Sequence, residues 1–139
     1  LNYRENIIDM TFMLQKEVVE RIVAPPGTKT YGRLSVVIQA FFDTELMFIV
    51  PKESFNPQPK IESAILYLKT KSRPLVQDLK PLEEIVKLAF SQRRKTLKNC
   101  LKSVLDQSQT DIDLSQRAEM LSLDNFVTLM NDYEKQYRN

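Results

Sequence analysis

The chain has 139 residues, 42% of them hydrophobic, with 20 lysines and arginines against 18 aspartates and glutamates and a net charge of +2. That is enough to bury one modest core or two small ones, and the overall charge does not announce a polyanionic partner, so only local clustering can. Histidine is absent and Cys100 is the single cysteine, which excludes histidine triads, histidine metal sites, cysteine-only zinc sites and an intrachain disulfide.

Met10 to Leu14 is a short apolar run that predicts a buried strand. Lys16 to Val23 carries Val18, Val19, Ile22 and Val23 at helical spacing until Pro25-Pro26-Gly27 breaks it. Arg33 to Phe42 predicts a second helix with Leu34, Val37, Ile38 and Phe41 along one face. Glu45 to Val50 and Ile61 to Leu68 are rich in β-branched and aromatic residues and predict two antiparallel strands with a long connection. A linker runs from Thr70 to Lys80, and beyond it the pattern is helical. Pro81 suits a first helical position, with Glu83 and Glu84 near the positive end of that helix. Asp113 and Ser122 are expected to cap two later helices, and Leu123, Phe126, Val127, Met130, Tyr133 and Tyr137 form the apolar stripe of the last one. Cys100, between Leu97, Leu101 and Val104, reads as a helical core position.

Two stretches point to function. The first is Phe55-Asn56-Pro57-Gln58-Pro59-Lys60-Ile61-Glu62-Ser63, where two prolines fix φ and withhold two N–H donors. Such a stiff, extended loop holds an aromatic ring in a fixed orientation, which suits stacking on a flat base. The plain alternative is a hairpin loop whose phenylalanine caps the core. The second stretch has no acid between Glu84 and Asp106 and contains Lys87, Arg93, Arg94, Lys95, Lys98 and Lys102. On one continuous helix, Lys87, Arg94, Lys98 and Lys102 share a stripe beside the apolar stripe of Phe90, Leu97, Leu101 and Val104. An all-basic face repels itself and gains from an anionic partner, RNA phosphate being the natural one. An ordinary solvated helix face is the competing reading.

Four blocks stand in register: Met13-Leu14-Gln15-Lys16-Glu17-Val18 with Arg21-Ile22, Tyr31-Gly32-Arg33-Leu34-Ser35-Val36 with Gln39, Ala89 through Asn99, and Arg117-Ala118-Glu119-Met120-Leu121-Ser122. Together with the proline loop they closely resemble the KsgA-type family, the small-subunit rRNA adenine N6-dimethyltransferases, from about Asp9 to about Tyr133. The resemblance implies an α/β chain in two parts. Residues 1–72 would be the distal part of a Rossmann-like methyltransferase sheet (strand, helices, antiparallel strand pair), and residues 73–139 a small all-α domain that docks on rRNA. Residues 1–8 would be the end of the helix that follows the family's catalytic motif.

The family's donor is S-adenosylmethionine, held by a Gly-rich loop, and its catalytic motif is Asn-Leu-Pro-Tyr or Asn-Leu-Pro-Phe. Neither can be drawn from this sequence: the only glycines are Gly27 and Gly32, and Asn2-Tyr3 lacks the Leu-Pro. The expectation is therefore a C-terminal half without catalytic or donor-site residues, and with no cofactor or metal bound. The motif match puts Phe55 on the flipped target base and Arg33 and Lys60 near phosphate. Its Gln92-Arg93-Arg94-Lys95 block belongs to the family's rRNA-docking part, and with the acid-free basic stretch this gives Lys87, Arg93, Arg94, Lys95, Lys98 and Lys102 to rRNA contact. The expected partner is small-subunit rRNA or the immature small ribosomal subunit. The expected chain is monomeric, off the membrane and cytoplasmic, with no spanning run, no signal-peptide layout and one unpaired cysteine. Two rivals remain: a non-catalytic RNA-binding or ribosome-assembly module, and a large-subunit rRNA methyltransferase. Gln92-Arg93-Arg94-Lys95 and Arg117-Ala118-Glu119 favour the small-subunit group over the latter.

Overall fold

Strand β1 (Asp9–Gln15) passes directly into helix α1 (Lys16–Val23), and helix α2 (Arg33–Phe41) passes directly into strand β2 (Phe42–Val50), with no residue between. Strand β3 (Ser63–Thr70) follows the proline loop. Helices α3 (Leu79–Ala89), α4 (Leu97–Leu101) and α5 (Leu123–Tyr137) complete the computed structural model, which describes residues 6–137. The expected helix end at residues 1–8 lies largely outside that span.

The three strands form one sheet in the order β1-β3-β2, and both pairings are antiparallel. The register sets Met10, Phe12 and Leu14 opposite Leu68, Leu66 and Ala64, and sets Thr44, Leu46 and Ile49 opposite the same three residues. These residues share one face, because side chains alternate along a strand. On β3 that face is fully covered: Ala64, Leu66 and Leu68 are buried in a core that also takes Val19 and Ile22 from α1 and Val36, Ala40 and Phe41 from α2. The core continues through Leu82, Ile85 and Val86 of α3, Leu97 and Leu101 of α4, and Phe126, Leu129 and Met130 of α5. The expected antiparallel strand pair is therefore present. The first strand is not buried as expected, with Phe12 43% and Met13 53% exposed. Among the described residues β1 is an edge strand, and α1 and α2 pack mainly over β2 and β3.

Helix α2 buries Phe41 of the expected stripe together with Val36 and Ala40, but it also buries a polar residue that the apolar spacing does not suggest. Leu34 is 40% exposed and Val37 and Ile38 are half-buried, whereas Ser35 is fully buried and Gln39 is half-buried. The reason is polar. The Ser35 hydroxyl donates to the Arg21 carbonyl, and the Gln39 amide donates to the carbonyls of Ile22 at 2.7 Å and Ala24 at 2.9 Å. Those are end-of-helix carbonyls of α1 with no partner inside their own helix. Two polar side chains of α2 thus cap α1 from the side, and the helix turns its polar edge inward to do so.

Helix α3 begins at Leu79, two residues before Pro81, so Pro81 sits in the first turn, where its missing N–H costs nothing, and Glu83 and Glu84 fall beyond that turn. Ser122 caps α5 as expected, its hydroxyl accepting from the Asn125 amide at 3.1 Å. Asp113 caps no helix. It accepts from the Ser115 amide and hydroxyl, a local turn that holds its carboxyl below the usual carboxylate range. The α5 stripe packs as read from Leu123 to Tyr133, and Tyr137 at its end is 55% exposed.

Tyr31, in the loop before α2, is fully buried, its ring meeting Phe90 edge-on at 6.1 Å between centroids. Its hydroxyl has no hydrogen-bond partner among the described residues, and burial pushes its pKa well above the usual phenol value. An orphaned buried hydroxyl carries a desolvation cost of about 1–3 kcal/mol. Tyr31→Phe should therefore hold or raise stability, by about 1 kcal/mol, read as a shift of the urea midpoint at constant slope. A lowered midpoint would mean that the hydroxyl is bonded.

Candidate nucleic-acid interface

The continuous basic helix expected from Lys87 to Lys102 does not form. Helix α3 stops at Ala89, the chain turns through Phe90 to Thr96, and α4 starts at Leu97. Phe90 leaves the helix with φ −95° and ψ 8°, and its ring stacks on Phe126 at 5.6 Å between centroids. The Ser91 hydroxyl donates to the Leu88 carbonyl at 2.6 Å, which satisfies one end-of-helix acceptor. Arg93 crosses to the loop before α2, donating to the carbonyls of Lys29 and Tyr31 (the latter at 3.1 Å), and approaches Glu119 at 3.7 Å. Phe90 is thus held in the core and Arg93 in a neighbouring loop, and the seven residues from Phe90 to Thr96 cannot stay helical. The apolar half of the pattern survives the break, since Leu97, Cys100 and Leu101 are buried and Phe90 and Val104 pack against the core.

The cations are therefore distributed over three local settings. Lys87 is in the last turn of α3, Arg94 and Lys95 are in the turn, and Lys98 and Lys102 are in and just after α4. All five are exposed, and none makes an ion pair or side-chain hydrogen bond among the described residues. Arg93 differs from them, because its donors already serve the chain itself.

Arg33 opens α2 and is exposed, again without a partner among the described residues. It lines a cavity of about 360 Å³ between α1, the loop before α2 and the turn, together with Glu17, Arg21, Lys29, Thr30, Gly32, Leu34, Ser35, Phe90 and Arg93. Arg33 and Arg93 are among the RNA contacts expected from the sequence, whereas Arg21 stands in the first block with no contact assigned to it and Lys29 stands in none. Only the fold brings them together.

Phe55 follows a short 3-10 turn at Lys52–Ser54, and its amide donates to the Lys52 carbonyl at 3.3 Å. The Asn56–Pro57 peptide is cis. The ring is half-buried, yet it is not among the hydrophobic residues packed against the core. Lys60 is exposed farther along the loop and lines a separate cleft of about 570 Å³ with Lys16, Lys52, Glu17, Glu20, Glu53, Ile61 and Glu62. Carboxylates outnumber ammonium groups there, and Lys16 already lies 3.8 Å from Glu20 and 3.9 Å from Glu62. The structure does not group Lys60 with the other predicted RNA contacts.

Neither glycine builds a loop of the kind that cradles S-adenosylmethionine. Gly27, at φ 85°, lies between α1 and α2 with its amide on the Glu119 carbonyl at 2.7 Å, and Gly32 precedes α2. Neither follows the end of a strand, as such a loop must. The described residues do not fit that group. Among them, no cluster of acidic or sulfur side chains is arranged to hold a metal ion, and no helix is long and apolar enough to cross a membrane.

Comparison with known proteins bears on the family and the fold. The sequence model of a family described as Ribosomal RNA adenine dimethylase matches residues 1–135. The chain is 52% identical to Ribosomal RNA small subunit methyltransferase A of Francisella tularensis subsp. novicida (strain U112), with 91% of this chain and 51% of that protein covered. It is 51% identical to the protein of the same name from subsp. tularensis (strain SCHU S4 / Schu 4), with the same shares covered. The chain spans about half the length of the curated relatives it matches. Among solved structures, a dimethyladenosine transferase from Plasmodium falciparum superposes with a TM-score of 0.80 at 20% identity, covering 97% of this chain and 62% of that one. The 23S rRNA methyltransferase ErmE superposes at 0.66 and 19% identity, covering 92% and 55%. At such identities the likeness speaks for the fold alone.

Proposed function

The chain belongs to the ribosomal RNA adenine dimethylase family, and from that premise we propose that the protein it forms part of dimethylates adenine N6 in small-subunit rRNA during ribosome biogenesis. S-adenosylmethionine would supply the methyl groups in that protein, and the present chain would supply RNA docking and one face of the target-base site. In this reading residues 1–72 are the distal part of the methyltransferase domain and residues 73–139 are the rRNA-binding part.

The observation that carries the reading is the set of exposed, unpaired cations Lys87, Arg94, Lys95, Lys98 and Lys102, on a stretch with no acidic residue. A phosphate chain satisfies such a surface, and the affinity gained comes largely from released counterions. Arg33 joins these contacts from α2, and Arg93 holds the turn that presents Arg94 and Lys95. Phe55 serves the chemistry differently. A base worked on at its exocyclic amine must leave its stack, and a ring that is held but not packed into the core offers it a new one.

The test is binding of the chain to in vitro transcribed small-subunit rRNA over a salt series. Replacing Arg94, Lys98 and Lys102 together with alanine should weaken binding without much sequence preference. The log–log salt slope should shrink by roughly 0.7 for each single-stranded phosphate that is no longer neutralised. Unchanged affinity with an unchanged slope would return these cations to the role of a solvated surface.

A further inference from the structure

The loop from Pro51 to Glu62 carries Phe55, and among the described residues two polar contacts tie it to the rest of the chain, both made by Lys16. The Lys16 amide donates to the Glu62 carbonyl at 3.0 Å, and the Lys16 ammonium lies 3.9 Å from the Glu62 carboxylate. The other bonds of the loop, from the Ser54 amide to Pro51 and from the Phe55 amide to Lys52, are internal to it. The same ammonium lies 3.8 Å from Glu20, one turn along α1. Both roots of the loop, Lys52 and Glu53 on one side and Lys60, Ile61 and Glu62 on the other, meet the first turn of α1 in the cleft of about 570 Å³. The Phe55 ring is half-buried and outside the packed core, so its orientation is set by the loop that carries it.

A lysine is out of place at the first position of a helix, where the unpaired N–H groups favour an acid. Lys16 opens α1 and so works against the stability of its own helix. Conflicts between a local rule and the fold collect at functional sites. We propose that Lys16 is a positioning residue for the target-base site, given the stacking role of Phe55 set out above, on which this rests. Its ammonium, shared between Glu20 and Glu62, holds the root of the loop against α1 and thereby fixes the direction in which the Phe55 ring meets the base. Lys16 itself touches neither base nor phosphate.

The three side chains keep 41–42% of their surface exposed, so the pairs add little to the stability of the fold. A restraint of that size still biases a surface loop, because local openings of such a segment lie in the same small energy range. The loss of the Lys16 charge is therefore expected to appear at the ring and not in the melting of the chain.

The chain contains no tryptophan, so Phe55→Trp places a sole indole fluorophore at the ring position. In the full chain, the anisotropy decay of that variant is measured alone and combined with Lys16→Gln, Lys16→Arg or Glu62→Gln, at low and high salt, alongside melting temperature. The expected result is wider local motion in Lys16→Gln and Glu62→Gln and recovery in Lys16→Arg. High salt should loosen the parent and leave the glutamine variants unmoved. The melting temperature should hold or rise in Lys16→Gln, because a charge opposing the α1 dipole is gone. In the methylating protein, Lys16→Gln should slow single-turnover methylation by about 2- to 5-fold when Phe55 is present. It should add nothing to Phe55→Ala, the mark of two residues acting through one contact. RNA affinity and its salt slope should not change. Unaltered anisotropy, equal slowing in both backgrounds, or a salt slope smaller by about 0.7, which would make Lys16 a phosphate contact, each overturns the proposal and leaves the methyltransferase reading standing. If Phe55→Ala itself methylates at the parental rate, the stacking role of the ring falls and the proposal with it.

Discussion

Phe126→Ala should destabilise the chain by about 3–5 kcal/mol, the usual cost of emptying a buried aromatic site. Phe126 is fully buried and stacks on Phe90 at 5.6 Å, and it sits where α5 meets the end of α3. The loss comprises the transfer free energy of the ring, the cavity it leaves, and the ring–ring interaction, itself about 0.5–1.5 kcal/mol. For a domain whose total stability is of the order of 5–15 kcal/mol, that is a large fraction. Urea unfolding followed by far-ultraviolet circular dichroism measures it directly. Phe126→Leu, which refills much of the volume, should lose distinctly less. A loss below about 1 kcal/mol in the alanine variant would show that α5 collapses onto the gap and that the aromatic stack is not a fixed joint.

Phe55→Ala should act on a different quantity. If the ring stacks on an extruded adenine in the methylating protein, its removal forfeits roughly 1–3 kcal/mol of base stacking. That is about a 5- to 150-fold fall in single-turnover methylation. Melting temperature should barely move, because the ring lies outside the packed core. RNA affinity should also hold, since docking is spread over many phosphate contacts. Phe55→Tyr and Phe55→Trp should retain much of the rate, because any flat ring can stack. The opposite pattern is equally readable: an alanine variant of lower stability whose folded molecules methylate at the parental rate would make Phe55 a packing residue.

What the sequence made legible, and what it hid, divides along local and non-local physics. Helix α1 is readable to the residue because Pro25-Pro26-Gly27 ends it within its own neighbourhood. Ser122 is readable because a cap acts on the next turn. The break between α3 and α4 is not readable. No proline or glycine marks it, and the spacing of Phe90, Leu97 and Leu101 suits one long helix. The break is made from elsewhere, by Tyr31 and Phe126 around Phe90 and by two carbonyls of the loop before α2 around Arg93. The inward turn of Ser35 and Gln39 escapes for the same reason, since hydrophobic periodicity cannot anticipate a neighbouring helix that needs its carbonyls capped. At the interface, the cation-rich stretch and the proline loop announce themselves by composition. Lys29 does not, because a single lysine between two threonines means nothing until the fold sets it beside Arg33.

The direct joints at Gln15/Lys16 and Phe41/Phe42 set where the chain can change length. With about 3.6 residues per helical turn, one added residue at the first joint rotates α1 by about 100°. That would carry Val19 and Ile22 away from the sheet while β1 stays locked in register with β3. One added residue at the second joint instead shifts β2 by a single position and exchanges its two faces, setting Asp43 and Glu45 against the core. The loop after β2 lies at the surface and is free of both joints, so added residues there raise the closure entropy only slowly. That permissive segment is the one that carries Phe55. The reach of that loop can therefore change at little cost to the scaffold that aims it, whereas a residue added at either joint displaces a helix or a strand.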